Sequence, residues 1–458
     1  MAGDRTLSYA DQLGPEARVY PCPFLVIAFD GERPTELPVR LSLAEVERLD
    51  IGRGPTRSWQ RVHGGGQAVL QLSLADAWMS GSHAQLRRTD AGWRLYDEGS
   101  KNGTFVGGQR HSEVDLRDGD VIAVGSTLCV FRDGAPQQVG APSDYHPASH
   151  EVTALTTWNP ELAVVFEPVP RLAQSDIAVV IGGETGVGKE VLARHIHAQS
   201  GRKGAFIAIN CGALPAHLIE GELFGAKKGA YSGATEDRPG LVRAAERGTL
   251  FLDEVAELPE PAQVKLLRVA QEREVTPLGG TRPIKVDVRI VAASHRALPA
   301  MVDQGSFRAD LYARLAGAHV EIPPLRDRRE DIGFLVGVVL RRWLPDRADG
   351  VRFEREAARA LLRHSWRLNV RELEQCLRTA CTVAGTERIG LVHLPEEVRL
   401  AAEALGPDDD GLERELIRLL GLHAGNVSAV ARDLGKARVQ IRRWCRRFGL
   451  DPSDYRAS

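Results

Sequence analysis

The sequence predicts a multidomain protein in which an all-β sandwich, an α/β core with a helical extension, and an all-α C-terminal piece follow one another. Three observations carry this. Residues 20–133 are short apolar runs (FLVIAF, WRLYDEGS, DVIAVG) broken by Gly, Asp and Ser, the pattern of many short strands. Between 151 and 323, β-type runs (AVVIGG, AFIAIN, TLFLDE, VRIVAAS) alternate with helical stretches (KEVLARHIHAQS, PAQVKLLRVAQER), which predicts a parallel sheet covered by helices. From 327 onward Leu, Val and Ala recur at i, i+3 and i+4, so the remainder is helical, with a break at GPDDDG (406–411). The expected units are therefore 20–133, a Pro/Ser/Gly/Gln-rich linker at 134–150, 151–325, 326–402, a second linker at 403–411, and 412–458.

Length and charge agree with this division. The chain has 458 residues, room for two to four domains at roughly 100–200 residues each. Lys+Arg number 59 and Asp+Glu 61, a net charge of −2, so any nucleic-acid contact needs locally concentrated positive charge. A hydrophobic content of 43% excludes global disorder. No run approaches 18 consecutive apolar residues, and the opening MAGDRTLSYADQ has no apolar stretch, so the expectation is a cytoplasmic protein without a membrane partner. The six cysteines show no CxxC pairing, which points to reduced structural thiols rather than a zinc site.

The strand Ile177–Ile181 leads into Gly183, Glu184, Thr185, Gly186, Val187, Gly188, Lys189 and Glu190, and then a helix. Glycines at this spacing let backbone N–H groups curl round phosphate oxygens, the helix N-terminus adds positive potential, and Lys189 reaches the terminal phosphates. Glu190 stands where Ser or Thr usually offers Mg²⁺ a hydroxyl. A second apolar strand, Thr249–Leu252, ends in Asp253 and Glu254. Asp253 suits Mg²⁺, and Glu254 suits orienting and polarising a water. Together they predict a P-loop NTPase that hydrolyses a nucleotide with Mg²⁺.

Six runs in order make the pattern specific: GETGVGKE (183–190), INCGAL (209–214), ELFGAKKGAYSGA (222–234), GTLFLDEV (248–255), FRADLYARL (307–315) and NVRELEQ (369–375). Over 151–402 the chain resembles the AAA+ domain of bacterial enhancer-binding proteins, activators of sigma-54 RNA polymerase, in which Glu after the P-loop Lys is usual. The resemblance implies an α/β AAA+ P-loop NTPase with a helical lid. Asn210 then corresponds to the polar partner of the catalytic Glu254. Arg308 and Arg314 correspond to finger arginines that complete a neighbouring subunit's site, and Arg371 to the lid's sensor arginine. It also implies self-association into a ring, expected to be a hexamer. Gly229, Ala230, Tyr231, Ser232, Gly233 and Ala234 correspond to the loop that contacts sigma-54, with Tyr for Phe and Ser for Thr. Two stretches depart from the family pattern: Ser294-His295 replaces Thr-Asn, and Arg367-Leu368 replaces Pro-Gly.

In the β-rich region Ile51-Gly52-Arg53, Ser80-Gly81-Ser82-His83, Gly99–Thr104 and Leu116–Asp120 follow one another. Arg53 offers charge-assisted bonds to a phosphate, Ser80 a hydroxyl, and Asn102 an amide for peptide backbone. This order resembles FHA domains, β-sandwiches that bind phosphothreonine peptides, and implies a phosphothreonine protein as partner, with His83 as a structural brace.

Residues 412–458 resemble the Fis-type helix-turn-helix DNA-binding domain, with Gly425–Leu434 as the first helix of the motif and Gly435 in the turn. Ile441, Trp444, Cys445 and Phe448 recur on one helical face, leaving Arg438, Arg442, Arg443 and Arg446 on the other, where they suit DNA. Lys436-Ala437 lacks the family's Ser, a lost N-cap worth about 1 kcal/mol. The implied function is an ATP-dependent activator of sigma-54 RNA polymerase that binds upstream enhancer sites under phosphothreonine control. The same residues also fit a DNA-binding, ATP-responsive regulator, or an AAA+ remodeller whose client is not sigma-54.

Overall fold

The computed structural model describes residues 19–64, 67–138, 144–230, 236–385, 388–403, 409–423, 425–434, 441, 444–445 and 450–455. Alternation along the first long strand, Val19–Asp30, sets up the N-terminal half. Leu25 and Ile27 point into a sandwich core, whereas Val26, Ala28 and Phe29 point into a second core on the opposite side. An irregularity in register between Ile27 and Phe29 brings Ala28 and Phe29 onto that same outer side. The strand pairs antiparallel with Thr127–Gln138 and Val39–Ser42 inside a seven-stranded sheet. A six-stranded sheet, with Arg48–Arg53 between Ala84–Thr89 and Gln67–Leu74, closes the sandwich. Leu25, Leu41, Leu49, Leu72, Leu95 and Phe131 are buried between the two sheets. Each such side chain contributes about 1.5–3 kcal/mol.

The outer face of the seven-stranded sheet is covered by the lid. Val26, Ala28, Phe29, Ala123, Leu128 and Val130 share one buried cluster with Ile332, Val336 and Leu340 of the helix Ile332–Trp343, and with Phe353, Leu361 and Trp366. Phe29 meets Phe353 edge-on, with ring centroids 5.3 Å apart. Gly333 makes the close approach of that helix possible, because a Cβ there would lie 1.9 Å from the Ala28 carbonyl oxygen. Charge closes the rim. Arg132 donates to Asp118 (2.9 Å), Glu161 (2.8 Å) and the almost wholly buried Glu330 (2.7 Å). Burial pushes the Glu330 carboxyl up, whereas three surrounding carboxylates keep Arg132 charged. Thr35 donates to Asp349 (2.7 Å), and Arg341 donates to the Thr35 carbonyl (2.9 Å).

The predicted linker 134–150 needs correction. The chain stays in strand to Gln138, and Asp144–Tyr145 adds to the sheet edge beside Arg40 and Leu41. The composition misleads because one carboxylate does the anchoring. Asp144 accepts from the Ser42 amide (3.0 Å), Trp59 Nε1 (3.1 Å) and Arg61 Nη2 (2.7 Å).

The α/β core is a five-stranded sheet in the order Phe206–Asn210, Thr249–Asp253, Arg289–Ser294, Val179–Gly182, Ala318–Glu321, and every pair is parallel. Successive residues feed cores on both faces: Leu250, Leu252 and Ala292 on one, Phe251, Val291 and Ala293 on the other. That is why these strands read as unbroken apolar runs. Register places Gly182 beside Ser294 and Glu321, and Asn210 beside Asp253, so the chemistry-bearing strand ends share one edge.

At the C-terminus the helices Asp409–Leu422 and Val427–Asp433 pack around Leu416, Leu420 and Val430, joined by Ile441, Trp444 and Cys445. These three are buried as their spacing predicts. The side chain of Asn426 caps the second helix by accepting from the Ser428 and Ala429 amides. Phe448, Arg438, Arg442, Arg443 and Arg446 lie outside the described residues.

Candidate functional site

The loop after Val179–Gly182 needs its glycines. Gly183, Gly186 and Gly188 have φ of 136°, 80° and 111°, and a Cβ at Gly186 would lie 2.2 Å from the Leu368 carbonyl oxygen. The helix Lys189–Gln199 starts directly from this loop. The Lys189 ammonium donates to the carbonyls of Gly183 (2.7 Å) and Glu184 (3.2 Å) and lies 3.9 Å from Glu254 Oε1. Burial holds its pKa below the usual lysine value, offset in part by Glu254 and Asp253.

Glu254 adopts φ 53° and ψ 48°, a left-handed conformation that costs a non-glycine residue about 1–3 kcal/mol. It thereby turns away from the run of Thr249–Asp253, and its amide donates to Asp253 Oδ1 (3.1 Å). Burial pushes the Asp253 carboxyl up, and neighbouring Glu254 adds to the effect. Mg²⁺ takes one or two carboxylates together with substrate phosphates and water. Asp253, at the strand end and within the field of Lys189, fits that role. Glu190 does not, because it is turned to Arg194 on the exposed helix face (2.7 Å).

The lid reaches this loop through residues that the sequence does not flag. Asn369, fully buried with φ 56°, accepts from the Leu325 amide (2.7 Å) and donates to Glu184 Oε2 (3.1 Å) and the Thr185 carbonyl (3.0 Å). The Val370 amide donates to the Gly186 carbonyl (3.0 Å), and Arg326 forms a two-pronged pair with Glu184 (2.9 and 2.6 Å). The signal for Asn369 and Val370 lay inside NVRELEQ, where Asn tolerates a left-handed backbone; Arg326 lies outside every motif. Burial pushes the Cys211 thiol up to about 12, which holds it in the neutral form.

At one end of the sandwich three loops are tied together by backbone and side-chain hydrogen bonds. The Arg53 amide donates to the Ser80 carbonyl (2.9 Å), the Lys101 amide to Ser80 Oγ (3.1 Å), and Asn102 Nδ2 to the Trp78 carbonyl (2.6 Å). His83 is wholly buried; its Nδ1 accepts from the Ser80 amide (3.1 Å), and its Nε2 faces the Gly103 carbonyl (3.3 Å). Burial holds its pKa below the usual histidine value, which suits a brace. The Arg53 side chain is left exposed, and Ser80 Oγ keeps its proton free to donate.

Comparison with known proteins decides what this assembly belongs to. Residues 155–321 match the sigma-54 interaction domain, 326–409 the AAA+ ATPase lid domain, and 49–125 the FHA domain. The transcriptional regulatory protein GlrR of Escherichia coli is 41% identical over 309 residues, covering 66% of this chain and 70% of GlrR. The chain belongs to the sigma-54-dependent transcriptional activators. The response regulator protein PilR of Pseudomonas aeruginosa is 40% identical over 312 residues, covering 64% of this activator and 69% of PilR. The crystal structure of NtrX from Brucella abortus in complex with ADP matches at a TM-score of 0.50 and 30% identity, covering 65% and 70% of the two chains.

Within this activator the remaining expected residues divide. Arg371 sits over the loop, its Cβ 3.2 Å from where a Cβ on Gly186 would stand. Arg308 is paired with Asp310 (2.7 Å), and Arg314 Nε donates to the Ala270 carbonyl (3.1 Å), both at the surface of the helix Ala309–Leu315 and its N-cap. Gly229, with φ 84°, and Ala230 lie on a turn whose stem is a bridge between Ala226 and Arg238. Tyr231, Ser232, Gly233 and Ala234 lie outside the described residues. Asn210 does not meet Glu254; its Oδ1 accepts from the Gly212 amide (2.9 Å). Glu254 instead meets His295. Among the described residues no helix is long and apolar enough to cross a membrane.

Proposed function

We propose that this activator binds and hydrolyses ATP with Mg²⁺ and uses the cycle to remodel the closed promoter complex of sigma-54 RNA polymerase. The observation that carries the reading is the meeting of the Lys189 cradle with Asp253 and Glu254 at one sheet edge, inside the stretch that matches the sigma-54 interaction domain. The similarity to NtrX, solved with ADP, supports a nucleotide in this cradle.

The loop amides from Gly183 to Glu190 wrap the phosphates, and Lys189 moves from the Gly183 and Glu184 carbonyls to the terminal phosphate oxygens. Asp253 holds the magnesium, which when bound neutralises charge on the transferring phosphoryl group. Glu254 accepts a proton from the attacking water, its carboxylate directed towards Lys189. Arg371 follows the lid. Arg308 and Arg314, exposed on one short helix, are offered to a neighbouring protomer's nucleotide, which requires a ring, by family resemblance a hexamer.

Three further assignments complete the reading. The run Gly229 to Ala234, which falls in sequence between the bridged residues Ala226 and Arg238, contacts sigma-54. Arg53, Ser80 and Asn102 bind a phosphothreonine protein or peptide, and the core shared by sandwich and lid is the route by which that binding regulates the ATPase. Arg438, Arg442, Arg443 and Arg446 on a Fis-type helix-turn-helix hold upstream enhancer DNA, in the cytoplasm. Steady-state phosphate release by the full chain tests the reading: Lys189→Ala is expected to lower it on the order of 100-fold or more. Equal rates for wild type and variant would overturn it.

A further inference from the structure

The phosphate loop is held from the lid side at three consecutive carbonyls. Asn369 Nδ2 donates to the Thr185 carbonyl (3.0 Å), the Val370 amide to the Gly186 carbonyl (3.0 Å), and Arg328 Nη2 to the Val187 carbonyl (2.8 Å). In a trans peptide the C=O of one residue and the N–H of the next point in opposite directions. Holding these carbonyls towards the lid therefore turns the amides of Gly186, Val187 and Gly188 away from it. A phosphate cradle needs its amides turned together in this way.

Arg328 differs from the other two in carrying a full charge where little water reaches it. It is 7% exposed, and its bond to Val187 is buried. The carboxylates that follow it in sequence are engaged elsewhere. Asp331 accepts from Thr157 Oγ1 (2.7 Å) and the Trp158 amide (2.7 Å), and Glu330 accepts from Arg132 (2.7 Å). Arg328 Nε has no hydrogen-bond partner, and among the described residues the guanidinium forms no ion pair. Burial lowers its pKa, with Asp331 opposing from a distance. A buried cation is costly unless an anion compensates it. Phosphates seated on the amide side of the Val187–Gly188 peptide would supply that anion.

We propose that Arg328 is a positioning residue of the nucleotide site: it fixes the Val187 carbonyl so that the Gly188 amide faces the phosphates, and its buried charge adds to their attraction. The inference rests on the nucleotide-binding reading above. It gives the lid a part in shaping the cradle before any nucleotide arrives, through a residue outside the six motif runs.

The test uses the full chain, with equilibrium binding of a fluorescent ADP derivative, steady-state phosphate release, and thermal melting without nucleotide. Arg328→Met fills much of the same space without charge or donor, and Arg328→Lys keeps the charge and a donor. Replacing a buried charge by an apolar side chain of similar volume is often neutral for stability, so Arg328→Met is expected to melt within about 4 °C of wild type. Its affinity for the ADP derivative is expected to fall on the order of 10-fold, with KM for ATP raised in step and kcat within about threefold. Arg328→Lys is expected to recover affinity to within about threefold of wild type. Wild-type affinity in Arg328→Met overturns the proposal. So do two variants that both melt more than about 10 °C lower and lose affinity equally, the signature of a structural role. A wild type that binds no ADP derivative overturns the nucleotide reading itself, a distinct result.

Discussion

The sheet face and the loop end of the FHA sandwich are built in opposite ways. On the face, Val26, Ala28 and Phe29 are buried against Ile332 and Phe353, and the buried Glu330 meets its cation, Arg132, from across the junction. At the loop end, His83, Ser100 and Thr104 are buried in a hydrogen-bonded frame, while Arg53 is exposed and Ser80 and Asn102 are half-buried. The face therefore resembles a domain core, and the loop end a rigid frame presenting side chains. The difference teaches that the FHA domain is not merely tethered beside the AAA+ domain. It shares a core with the same lid that reaches the phosphate loop through Asn369 and Val370.

The largest expected effects lie at the junction. Arg132→Ala leaves Glu330 buried without its cation and should cost about 3–5 kcal/mol, and Phe353→Ala should cost a similar amount, about 3–5 kcal/mol. Chemical denaturation of the full chain measures both, and shifts under about 0.5 kcal/mol would show that the face is not a core. At the loop end the pattern should invert. Arg53→Ala should leave stability within about 0.5 kcal/mol while weakening binding of a phosphothreonine peptide by about 1.5–3 kcal/mol in calorimetry. Unchanged peptide binding would remove Arg53 from the ligand site.

The smallest effect concerns pH. A lysine with a lowered pKa loses its charge earlier as pH rises, so kcat/KM for ATP should fall on the alkaline side below the ordinary lysine value of about 10.4. A carboxyl with a raised pKa takes up its proton earlier as pH falls, so Asp253 should place the acid limb above about 3.9. A pH–rate profile with both limbs at the free-residue values would show that burial does not tune these groups.

Much of this was legible in the sequence because it is local. The phosphate loop, Asp253-Glu254 and the Ser80–His83 turn each depend on close spacing at the ends of strands, and the structure brings each set together. The shared core was half legible. FLVIAF is apolar at consecutive positions, and a strand with only one buried face alternates, so its second face had to be covered. What covered it was not readable, since Arg132 and Glu330 are 198 residues apart and neither motif nor spacing links them. The 134–150 stretch misled for a related reason: Asp144 makes it adhere through hydrogen bonds that composition does not register. His295 read only as a departure from a pattern, because its partner Glu254 lies just past the end of a different strand, 41 residues away.

The central claim is that nucleotide cleavage at the Lys189–Glu254 edge drives a sigma-54 polymerase across its opening step. Open-complex formation by purified sigma-54 RNA polymerase on a promoter with upstream enhancer DNA measures it most directly, with ATP and either wild-type chain or Glu254→Gln. The account predicts opening with wild type and ATP, and none with Glu254→Gln although that variant still binds nucleotide. Equal opening by both proteins, or by wild type without ATP, would contradict it.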